Sequence, residues 1–232
     1  MKKGLSLMRT AMENKGRKTA LFGGTFDPLH MGHLELIRQV HDLLDPDRMI
    51  VIPAGHPYFK EREGKKVTSA DHRIGMLRAG LEELSFPVEI STIETDKDSF
   101  SYSIETVREI KKRDGKEVSK STDYYFLCGS DVLFYIDQWY ESKALMKEVI
   151  LTVTQRGDDD PAVINAKKQE LTEAFGARIV ICPFKCDDIS STMIRNDVDG
   201  SKELLPAGTY RYIKEHRLYE RHTDGSDNQQ LT

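Results

Sequence analysis

Two hydrophobic periods alternate along this chain, and the alternation carries most of its fold. Short apolar and β-branched runs at 18–23, 48–54, 88–92, 124–129, 149–154 and 177–182 read as buried strands. Between them, apolar positions three and four apart predict helices at 32–44, 69–84, 103–113, 141–147 and 161–175. Strands that alternate with helices in this way form parallel sheets through crossover connections. The expected fold is therefore α/β, a Rossmann-like doubly wound parallel sheet of six strands with helices on both faces. Two further helices, 191–198 and 206–215, follow the last strand. No internal repeat or low-complexity segment interrupts the pattern.

Outside this stretch the periodicity fades. Residues 1–18 hold six Lys or Arg against one Glu, and the chain beyond 220 is polar and ends in a run with nothing to bury. The expected organisation is a flexible basic arm over 1–17, a single domain over 18–219 and a disordered tail over 220–232.

Composition narrows the function. No window approaches the roughly 18 consecutive apolar residues that a membrane span requires, so no membrane partner is expected. A net charge of −4 argues against a nucleic-acid partner, which calls for a surplus of Lys and Arg. Three cysteines give no disulfide framework and no apolar run opens the chain, so a cytoplasmic location is expected. The sequence leaves homo-oligomerisation open.

In parallel sheets, ligands bind beyond the carboxyl ends of the strands, where the crossover direction reverses. The segment after the first strand, Gly23-Gly24-Thr25-Phe26-Asp27-Pro28-Leu29-His30-Met31-Gly32-His33, therefore carries the chemistry. Its glycines let a backbone turn tightly and approach a ligand, and the helix that follows offers unpaired N–H groups to an anion. It lacks the Gly-Lys-Ser/Thr ending of a P-loop and the third glycine of a dinucleotide fingerprint. His30 and His33 stand three apart, so on one helical turn both point to the same side. A helix dipole stabilises an anion by roughly 0.3–1 kcal/mol, while each hydrogen bond to a charged group contributes about 1.5–3 kcal/mol. The imidazoles would dominate. Zinc ligation by the pair lacks further Cys or His at suitable spacing.

The segment resembles, at all eleven positions, the Gly-Gly-Thr-Phe-Asp-Pro-x-His-x-Gly-His signature of bacterial nicotinate-nucleotide adenylyltransferases, members of the nucleotidyltransferase superfamily. A second signature of that family, Ile-Ser-Ser-Thr-x-Ile-Arg, is matched by Ile189 to Arg195, and the likeness covers about residues 18–219. It implies ATP and nicotinate mononucleotide as substrates, with magnesium carried by the ATP phosphates and no dedicated protein ligands. His30, His33 and Arg195 would then be the catalytic groups. Gly23, Gly24, Thr25, Phe26, Gly129, Asp131, Ile189, Ser190 and Ser191 would bind ATP, with Asp131 on the ribose and Ser191 and Arg195 reaching the phosphates from the opposite helix end. Ser190 and Ser191 are also good helix caps on their own.

For the acceptor the resemblance implies Lys60, Ser103, Trp139 and Tyr140, with Trp139 stacked on the nicotinate ring. The family's Pro-Pro-His-Lys stretch reads Pro57-Tyr58-Phe59-Lys60 here, so its histidine is lost. That leaves other phosphorylated acceptors open, nicotinamide mononucleotide or phosphopantetheine among them, and outside enzymes a nucleotide- or RNA-binding relative. His56 and His72 read as surface residues. Because a mononucleotide phosphate is already ionised, adenylyl transfer needs neither a protein nucleophile nor a base. The histidines and the arginine would offset charge on the transferring phosphates.

Overall fold

The computed structural model describes residues 16–56, 67–157, 159–186 and 189–220. Its strands are β1 (Arg17–Gly24), β2 (Arg48–Pro53), β3 (Glu89–Ile90), β4 (Thr122–Gly129), β5 (Ile150–Arg156) and β6 (Arg178–Cys186). They pair in the order β3-β2-β1-β4-β5-β6, parallel at every step. The chain builds outward from β1 in one direction and from β4 in the other, so the sheet reverses between these two strands.

The helices are α1 (Met31–Leu44), α2 (Ala70–Leu81), α3 (Ser103–Asp114), α4 (Lys116–Lys120), α5 (Ser130–Leu133), α6 (Ser142–Glu148), α7 (Pro161–Phe175), α8 (Ser191–Asn196) and α9 (Ala207–Glu215). Successive strand side chains face opposite ways, which divides the core in two. Leu21, Phe126 and Leu151 meet Ile104, Val107, Leu145 and Ile164 from α3, α6 and α7. Ala20, Phe22, Tyr125 and Leu127 meet Leu34, Ile37, Val40 and Leu77 from α1 and α2. A smaller cluster of Met76, Ile194, Leu205 and Ile213 joins α2, α8 and α9. Among the described residues no helix is long and apolar enough to cross a membrane.

Several boundaries differ from the sequence reading. β3 pairs over two residues instead of 88–92, because the chain closes after Ser91 into a turn in which the Asp96 amide donates to the Thr92 carbonyl at 2.8 Å. β6 runs four residues past 182, pairing on with β5 through an irregular register between Val153 and Gln155. α8 stops at Asn196 rather than 198, and α2 stops at Leu81 rather than 84. The short helices α4 and α5 are additional. Gly115, at φ 82°, adopts the backbone that ends α3 before α4 begins.

Candidate active site

The turn after β1 is built differently from a glycine bend. Gly23 and Gly24 both lie within β1, and neither has a left-handed φ; the left-handed residue is Phe26, at φ 50°. A Cβ on Gly24 would stand 2.8 Å from the Phe26 ring, so this glycine makes room for the ring to fold back over the strand. A Cβ on Gly23 would meet nothing within 4 Å, which leaves the backbone open to a close ligand. Phe26 is 2% exposed, and its ring packs edge-on against Phe22 and His33, with centroids 5.2 and 5.1 Å away. The Phe26 side chain is thus taken up in packing against His33.

His30 is the N-cap of α1 and His33 its third residue, and the rings stack with centroids 3.7 Å apart. The His30 amide donates to Nδ1 of His33 at 3.2 Å, which puts the His33 proton on Nε2 and makes that nitrogen the donor. His30 is 6% exposed, and burial pulls its imidazole down to about 4, so it is neutral at neutral pH. As a neutral imidazole it can act only as a hydrogen-bond donor or acceptor, in keeping with the donor role that the sequence reading expects. Its Nδ1 is buried without a partner. Gly32 is what admits the ring, since a Cβ there would lie 3.2 Å from that same Nδ1.

The second signature touches the first directly. Ser191 Oγ donates to the Pro28 carbonyl at 3.1 Å, and Arg195 Nη1 donates to the Asp27 carbonyl at 2.6 Å. Arg195 Nη2 also donates to Thr192 Oγ1 at 3.1 Å. Ser191, the first residue of α8, and Arg195 thus rest on the edge of the turn itself. Ile189 packs beside Gly32, 3.6 Å from where its Cβ would be. Ser190 caps α8, its hydroxyl accepting from the Met193 amide at 3.2 Å.

Across the switch point, β4 ends in Gly129, the N-cap of α5, and Asp131 in α5 is exposed. Trp139 follows the 3-10 turn Ile136–Gln138 and is half-buried, edge-on to Phe126 with centroids 6.3 Å apart. Its indole Nε1 is buried without a partner. Tyr140, 51% exposed, packs on Tyr102 with the rings tilted by 35° and their centroids 4.4 Å apart, and Ser103 opens α3 directly after Tyr102. Lys60 lies outside the described residues. His56 is exposed as expected, whereas His72 is half-buried, its Nδ1 3.3 Å from the Tyr212 hydroxyl.

Three residues near the turn escape the sequence reading. Asp27 is buried, Arg73 is buried, and Tyr219 comes from beyond α9. Arg73 carries a detectable signal, because a charge at position 73 falls on the face of α2 that holds Met76, Leu77 and Gly80. Tyr219 carries none, since its partner Asp27 is 192 residues away.

Paired imidazoles and an arginine around a glycine strand end, at the switch point of a parallel sheet, define an α/β protein that binds nucleotide phosphates. Residues 21–197 match the cytidylyltransferase-like family. The chain is 33% identical over 206 residues to a probable nicotinate-nucleotide adenylyltransferase of Clostridium tetani, covering 88% of this chain and 99% of that one. It is likewise 33% identical over 208 residues to the protein of the same name from Thermoanaerobacter sp. strain X514, with 88% and 95% covered. A solved structure of Plasmodium falciparum nicotinic acid mononucleotide adenylyltransferase complexed with NaAD shares the fold, at a TM-score of 0.69 and 21% identity over 88% of this chain and 97% of that one. The chain belongs to the nicotinate-nucleotide adenylyltransferases of the cytidylyltransferase-like family.

Proposed function

We propose that the protein transfers the adenylyl group of ATP to the phosphate of nicotinate mononucleotide, releasing pyrophosphate and forming nicotinate adenine dinucleotide, a step in NAD biosynthesis. The observation that carries this reading is the direct bonding of Ser191 and Arg195 to the Asp27-Pro28 turn, which gathers the donors of both signatures at one strand end. Attack by the ionised acceptor phosphate on the α-phosphorus needs no protein base, so the site works by positioning and charge stabilisation.

In this reading the backbone of Gly23, Gly24, Thr25 and Phe26 lines the triphosphate. His30 and His33 donate hydrogen bonds to its oxygens, and Arg195 offsets the charge that grows on the leaving pyrophosphate. Ile189, Ser190 and Ser191 complete that wall, while Gly129 and Asp131 hold the nucleoside. Trp139, Tyr140 and Ser103, with Lys60, receive the acceptor.

Imidazoles and a guanidinium suit phosphate oxygens and do not suit magnesium, which takes oxygen ligands. Magnesium is therefore assigned to the phosphates of ATP, where it neutralises charge, and no protein residue is assigned to it. A reducing, cytoplasmic setting fits Cys128 and Cys182, which are buried and form no disulfide.

Pyrophosphate release from ATP and magnesium tests the reading, with nicotinate mononucleotide, its amide and phosphopantetheine as separate acceptors. The nicotinate compound is expected to support the fastest release. Preference for either of the others refutes the acceptor, and release with none refutes the reaction.

A further inference from the structure

Behind the Gly23–His33 turn lies a buried polar network whose farthest member comes from the end of the fold. The Asp27 carboxylate, 1% exposed, accepts from the Tyr219 hydroxyl on Oδ1 at 2.6 Å and from the Thr68 amide on Oδ2 at 3.2 Å. Its Oδ2 is also 4.0 Å from Nη1 of Arg195. Arg73, equally buried, donates to the carbonyls of Thr68 and Thr25 at 2.9 Å each and of Ala54 at 2.7 Å. One cluster thus joins the turn, the residue after β2, the entry to α2, the helix α8 and the segment after α9.

The order of contacts within it matters. Arg195 hangs on the main-chain carbonyl of Asp27, and the Asp27 side chain is held by Tyr219. Tyr219 reaches it in a left-handed conformation, φ 64°, with its hydroxyl 3.6 Å from Met76 Sδ. Bulky residues rarely adopt that backbone, and it persists only where contacts over-determine it. Phe26, next to Asp27, is left-handed as well. Burial and the adjacent Asp27 carboxylate push the Tyr219 phenol above its ordinary range, so it remains a donor at physiological pH.

We infer that Tyr219 is a positioning residue for adenylyl transfer: by holding the Asp27 carboxylate it orients the carbonyl on which Arg195 rests, and so aligns that arginine with the phosphates of ATP. The inference rests on the adenylyl-transfer reading above. It ties the segment after α9 to the phosphate end of the site and leaves the acceptor end untouched.

Tyr219→Phe in the full chain tests it, because the ring stays and only the hydroxyl is lost. Titration calorimetry with ATP alone is expected to show affinity about tenfold weaker, the scale of one hydrogen bond to a charged group, with the KM for the acceptor changed less than about twofold. Tyr210→Phe, whose hydroxyl meets the exposed Asp199 at 2.9 Å, is the control and should change neither. In a double-variant cycle with Arg195→Lys the two losses of ATP affinity should be less than additive, since both act on one contact. Asp27→Asn weakens the same bond from its other end; it is expected to repeat the selective loss and serves if the Phe variant does not fold. Unchanged ATP affinity, equal losses for ATP and acceptor, or strict additivity each overturn the inference. A wild-type chain that binds ATP but transfers nothing refutes the reaction, while the ATP titrations still decide the role of Tyr219.

Discussion

Gly32 decides how much room the His30 imidazole has, and so it separates stability from function. Alanine there gains helix propensity worth up to about 1 kcal/mol, but its Cβ would press on the His30 ring at 3.2 Å. Gly32→Ala is expected to leave the thermal midpoint within a few degrees and to lower kcat/KM for ATP about tenfold by displacing the ring. Steady-state kinetics beside thermal unfolding checks this, and a variant with normal kinetics contradicts it. His30 also makes a pH prediction. Its folded value of about 4 lies below its ordinary 6.5, so the unfolded chain binds the proton first as pH falls. The stability it contributes is present above about pH 6.5 and is lost as pH drops through 4. Between pH 7 and 4.5, wild type should lose about 2–3 kcal/mol more than His30→Asn in urea unfolding. Equal losses contradict a neutral, buried His30. The spacing of the two histidines was legible in the sequence; their ring stacking and the burial that neutralises His30 were not, because both arise only in the closed fold, where the Phe26 ring packs on His33 and Ile189 lies beside Gly32.

At the scale of elements, strands and long helices could be read because burial imposes a period, and the period is local. α4 and α5 span barely one turn, too short for a period to show. The ends of β3 and β6 are set by a turn and by a register irregularity, which no run of apolar residues announces. The same limit applies to Trp139. Its place after β4 follows from the pattern, but only the structure shows that the ring meets Phe126 in a T-shaped pair while the residue remains half-buried. Trp139→Ala should therefore have two effects. Stability should fall by less than the roughly 3–5 kcal/mol of a fully buried tryptophan, and affinity for nicotinate mononucleotide should weaken about tenfold more than that for ATP. Separate calorimetric titrations measure the ratio, and equal weakening of both removes Trp139 from the acceptor site.

At the scale of the molecule, the sheet reverses between β1 and β4, and the two strand ends that flank this point carry the imidazole pair and Asp131. The second signature follows the edge strand β6 yet returns to bond the first turn, which makes one site from segments some 160 residues apart. Fold class and motif order are readable along the chain. That Ser191 and Arg195 lean on the turn itself, with Asp27, Arg73 and Tyr219 behind them, is a property of the closed fold. Single-turnover transfer from ATP labelled at the α-phosphate, with nicotinate mononucleotide as acceptor, in wild type and His33→Ala, tests the central claim most directly. The label is expected to enter nicotinate adenine dinucleotide with unlabelled pyrophosphate released, and His33→Ala to slow this by about 10²–10³, the scale of one lost transition-state donor. Label appearing only in AMP or ADP, or transfer undiminished in the variant, contradicts it.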